Sequence, residues 1–127
     1  MVEKKKEKNY LHNKKIKLGY RVIQIKTFPP SFKKDHMLDA YGQYQERSSI
    51  MDLQEELNTL DEVNTLLHEI LHASVWISSL NQNGQPLERS KDEELVVNSL
   101  TNNLVQVFID NNWLLPYLIE KLNNKRL

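Results

Sequence analysis

The 127-residue chain has no cysteine, which excludes disulfides and leaves only histidine and carboxylate side chains to build a zinc site. No segment approaches the ~20 apolar residues that a membrane span requires. The charged N-terminus lacks a following apolar run, so a secretory signal is not expected and an intracellular, cytoplasmic location is. No proline or glycine falls between Gly42 and Gly84, and no histidine follows His72. At 39% hydrophobic residues the chain can bury one small core, and a single domain is the expectation.

The net charge of zero conceals a division. Residues 1–34 hold eleven Lys or Arg against two Glu, whereas the remainder holds six against fifteen acidic residues. The basic part is either an arm for nucleic acid or another anionic partner, or a solvated tail drawn to its own acidic body. Residues 1–16 show no sustained period and are expected as a loosely ordered basic arm before one domain at 17–127.

Within that domain, residues 18–28 are rich in β-branched and aromatic residues and read as a strand. Pro29-Pro30 ends it, because neither residue can donate to a ladder. Residues 31–40 read as a loop or a short helical turn. Residues 40–44 and 49–53 alternate on either side of Gln45-Glu46-Arg47-Ser48, which is hairpin spacing. Leu57 and Leu60 are expected to close the connection over the sheet edge. After a first helix and a polar turn at 81–86, a second helix runs over about 91–109, its apolar stripe being Val96, Val97, Leu100, Leu104, Val107 and Phe108. A last helix around 116–122 offers Leu118, Ile119 and Leu122 to the core, with Trp113, Leu114 and Leu115 packing in the connection. The fold class is therefore α+β, with a small, mostly antiparallel sheet of about three strands beside two long helices and a C-terminal helix.

The first helix carries the chemistry, in His68-Glu69-Ile70-Leu71-His72. Positions four apart lie one turn above each other, so both imidazoles can reach one metal ion while Glu69 leans over the same place. That is the arrangement of two zinc ligands with a carboxylate that takes a proton from water. Val63, Leu66, Leu67, Ile70, Leu71, Val75 and Ile77 give the segment helical spacing, and Thr59-Leu60-Asp61-Glu62 fits a capping box at its start. A catalytic zinc commonly has three protein ligands, so a third donor is needed. Glu93 opens the second helix in line with Val97, Leu100 and Leu104. Glu94, about 100° further round, is the fallback, with Asn98 as an outer group. Ser90-Lys91-Asp92-Glu93 is itself a capping box, so Glu93 can equally serve the helix start.

The strand pair at 41–53, the run Leu66–Ala73 and the run Glu93–Val97 together resemble the zincin metallopeptidases. The nearest in pattern are small intracellular, often phage- or mobile-element-borne groups similar to the ImmA/IrrE-like and SprT-like families. The resemblance covers about two thirds of the chain, from Tyr41 onward. It implies a zinc ion held by His68, His72 and a glutamate of the second helix, with Glu69 as general base in peptide-bond hydrolysis. It also implies a peptide or protein substrate lying as an extended strand along the sheet edge at about 41–45. SprT-like members generally use another histidine as third ligand, and its absence here points to the glutamate branch. Tyr41, Tyr44 and Tyr117 are the candidates for a transition-state donor. A different class keeps this fold without catalysis, as a zinc-stabilised or metal-free binding module acting on nucleic acid or a protein partner through the basic arm. Glu69 separates the two, since a structural zinc site has no need of that carboxylate.

Overall fold

The computed structural model of the protein describes residues 9–30 and 41–124. The outer half of the expected basic arm and the expected loop or turn at 31–40 lie outside the described residues. The elements in order are β1 (Lys15–Leu18), β2 (Arg21–Phe28), β3 (Gly42–Gln45), β4 (Ile50–Gln54), α1 (Thr59–Ile77), α2 (Ser90–Asp110) and α3 (Leu114–Asn124). The α+β class is as expected, while the sheet differs in number and sense. It has four strands in the order β1-β2-β4-β3, and the central β2 and β4 run parallel, so the sheet is mixed.

The extra strand comes from Gly19. Its φ of +60° turns the chain between Leu18 and Arg21 and divides what reads as one strand into an antiparallel pair. Lys-Ile-Lys-Leu then alternates, and Ile16 and Leu18 pack against the core. Residues 9–16 are accordingly not a loose arm. Asn13 donates its backbone N–H to Ile25 at 2.8 Å, and His12 Nδ1 accepts from Thr27 N at 3.0 Å.

Parallel pairing sets Ile25 beside Met51 and Thr27 beside Leu53. Ile23, Ile25, Met51 and Leu53 thus share one face, which α1 covers with Leu66, Ile70 and Ala73. Full burial of such a side chain contributes about 1.5–3 kcal/mol, so this seam fixes where α1 lies. Gly42 brings β3 close as well. A Cβ there would stand 2.9 Å from Asp52 O and 3.0 Å from Thr65 Cγ2 of α1.

The start of α1 is capped by Asn58, not Thr59. Asn58 is extended and its Oδ1 accepts from Asp61 N at 2.8 Å, which is the geometry of an N-cap. Leu60 does not close the sheet edge, being 53% exposed.

The largest departure concerns α2. Its buried face is Val97, Thr101 and Val105, whereas Val96, Leu100, Leu104 and Val107 of the expected stripe face outward. The helix is rolled relative to the expectation, and Thr101 is accommodated inside because its Oγ1 donates to Val97 O at 2.7 Å. The last helix departs too. α3 starts at Leu114, with Pro116 in its first turn where a missing N–H costs nothing, and it buries none of its residues. Leu118, Ile119 and Leu122 do not reach the core, and Trp113 is exposed in the connection. Among the described residues, no helix is long and apolar enough to cross a membrane.

Candidate metal centre

His68 and His72 project from one side of α1 and meet edge to face, their ring centroids 4.7 Å apart. Their Nε2 atoms approach to 3.1 Å. The first turn of α2 delivers a carboxylate to both. Glu94 Oε1 lies 3.0 Å from His68 Nε2, and Glu94 Oε2 lies 2.9 Å from His72 Nε2. The roll of α2 explains this placement, since Glu94 stands three, seven and eleven residues before the buried Val97, Thr101 and Val105 and shares their face.

Glu93 goes to the other side of the same ring. Its Oε2 lies 2.6 Å from His72 Nδ1, and its Oε1 accepts from Asn81 Nδ2 at 2.9 Å. A carboxylate can only accept, so Glu93 favours a proton on His72 Nδ1, while Glu94 Oε2 competes for a proton on Nε2 at the other side of the ring. The capping box does not form, because Arg89 occupies the N-cap position and no side chain caps there. Asn81 is the partner that spacing does not reveal. It lies in the polar stretch after α1, and only the folded chain carries its amide to Glu93, with Glu46 Oε1 accepting from the same nitrogen at 3.2 Å.

The donor set suits zinc. Tetrahedral ligand atoms at ~2.0–2.2 Å from a metal stand roughly 3.3–3.5 Å from one another. The two Nε2 atoms, 3.1 Å apart, are closer by a few tenths, and each meets a different oxygen of Glu94, at 3.0 and 2.9 Å. One atom from each of His68, His72 and Glu94 lies within 4.8 Å of the others.

Glu69 is 4% exposed, and no hydrogen bond to a described residue ties its carboxyl group. Burial pushes that carboxyl up to about 7, with Glu94 and Asp52 adding to the rise and His72 opposing it. Burial also lowers the pKa of His68, against the pull of Glu94, which keeps its lone pair available. Glu69 opens on a cleft of about 260 Å³ between the start of β3 and the two helices, lined by Tyr41, Gly42, Asn64, Thr65, His68, Glu94 and Asn98. Of the three tyrosines, Tyr41 alone lines it. Tyr44 packs on Trp76 with ring centroids 6.3 Å apart, and Tyr117 packs on Trp113 at 6.2 Å. Among the described strands β3 is an edge, so one side of its backbone borders the cleft unpaired by another described strand. Searches of protein-family models, of curated proteins and of solved structures find no match to this chain.

Proposed function

We propose that the protein is a zinc-dependent hydrolase of peptide bonds, with His68, His72 and Glu94 as metal ligands and Glu69 as general base. The observation that carries this reading is the convergence of the two histidine Nε2 atoms and the Glu94 carboxylate beside a buried, unbonded Glu69. Zinc bound there supplies a Lewis acid that polarises a carbonyl and lowers the pKa of water toward ~7. Glu69 accepts the proton of the attacking water and later delivers it to the leaving amine. A carboxyl whose pKa is near neutrality suits both halves of that transfer. Glu93 holds His72 in the coordinating tautomer, and Asn81 holds Glu93. A peptide is proposed to lie against the outer edge of β3, its backbone meeting the strand at about residues 41 to 45.

The assignment of the two glutamates is the decisive test. Zinc affinity measured by competition with a chelator should fall furthest in Glu94→Gln, and by about 10–100-fold in Glu93→Gln, the usual cost of losing a group that orients a ligand. A larger loss in Glu93→Gln would make Glu93 the ligand and refute the geometry proposed here.

The charge division supports a second reading, a metal-stabilised module that binds an anionic partner through its basic N-terminal part. It predicts that Glu69→Gln changes no activity of the protein.

A further inference from the structure

At the end of the molecule away from the metal centre, Leu60 and Val63 of α1, Val105, Phe108 and Ile109 of α2 and Leu115 of α3 line an apolar groove of about 370 Å³. Beside it stands α3, whose Leu115, Leu118, Ile119 and Leu122 follow the i, i+3, i+4, i+7 spacing of a helix that packs in such a groove. The helix does not fill its own. Only Leu115 reaches the wall, and Ile119 and Leu122 turn away at 59% and 61% exposure. An 11-residue helix without a buried residue is marginal in water.

We infer that two copies of the chain pair about a two-fold axis, each laying α3 across the groove of the other. The chain carries both complementary halves, which is what an isologous interface requires. α2 has no charged residue from Leu95 to Ile109, α1 carries Asp61 and Glu62 between its two groove residues, and α3 carries Glu120 and Lys121 off its apolar spacing. The area is adequate as well. Leu60, Val63 and Ile109 of the groove and Leu115, Leu118, Ile119 and Leu122 of α3 are 37% to 61% exposed and leave on the order of 600–700 Å² per chain, close to one side of a standard interface.

Sedimentation equilibrium on the full chain, over roughly 1–100 μM, tests this. The expected mass is twice the 15.0 kDa of one chain. Ile119→Glu/Leu122→Glu on α3 and Leu60→Glu in the groove should each weaken the dimer at least 100-fold. Circular dichroism should lose no more helix than the 11 residues of α3, since all three positions are more than half exposed and the rest of the fold does not depend on them. A monomer at every concentration overturns the inference, and so does a dimer that survives either variant.

Discussion

The two ends of α2 are held in different ways. Its first turn is fixed by polar contacts, with Glu94 against both histidines and Glu93 between His72 and Asn81. Beyond Leu95 it carries no charge until Asp110, and the apolar Leu100, Leu104 and Val107 face outward. One rotation accounts for both conditions. Turning Val97, Thr101 and Val105 inward seats Glu94 at the histidines and rolls Leu100 and Leu104 out. The histidine–glutamate cluster and the outward apolar residues of α2 are thus consequences of the same packing choice.

The first way to break that comparison is at the polar end. His68→Ala should lower zinc affinity on the order of a thousandfold or more and abolish hydrolysis, because two donors do not make the site. Metal retained after dialysis at one equivalent per chain would show that the site lies elsewhere. Glu69→Gln should keep the metal and lower turnover by about 10²–10⁴, the usual contribution of a general base. Unchanged hydrolysis of a peptide substrate in that variant would show that Glu69 is not the general base.

Glu69 also has a cost in the metal-free protein. Its carboxyl sits at about 7 against an ordinary 4.5, so the folded chain binds a proton that the unfolded chain has already released between those values. Stability therefore falls as pH rises through this window, by about 3 kcal/mol once pH exceeds 7. Glu69→Gln should raise the denaturation midpoint of metal-free protein at pH 8 and have little effect near pH 4. An equal shift at both values would mean that burial of the charge is not the cause.

The smallest effects sharpen the contrast along α2. Val97→Ala should cost about 1–2 kcal/mol by urea unfolding, since the side chain is 1% exposed. Leu100→Ala should cost under about 0.5 kcal/mol, because that side chain is half in water. Equal costs at the two positions would contradict the observed roll.

That roll was the least legible feature in the sequence. α2 has apolar residues at 96, 100, 104 and 107 and also at 97, 105 and 108, so periodicity establishes a helix without establishing its phase. The phase comes from packing on α1, which tolerates Thr101 inside because its hydroxyl bonds within the helix. A face of Val97, Leu100 and Leu104 aligns with Glu93, whereas the observed face of Val97, Thr101 and Val105 brings Glu94 to both Nε2 atoms and Glu93 to His72 Nδ1. That His68 and His72 share one side of a helix was legible, because four-residue spacing on a helix needs no tertiary information. β1 was hidden by its two lysines and its length of four residues, too short for alternation to stand out. The parallel pairing of β2 and β4 was equally hidden, since strand order leaves no local trace.

Gly42 gives the cleft a dimension that no reactive group sets. The strand bordering Glu69 rests on α1 through a residue without a side chain, and a single methyl group would press on the backbone oxygen of Asp52, which cannot swing aside as a side chain would. Gly42 thus lets β3 lie close to both the backbone of β4 and Thr65 of α1, and the width of the cleft beside Glu69 depends on that approach. A mutational map of the protein should therefore show position 42 as intolerant as the histidines, although it holds no metal and moves no proton.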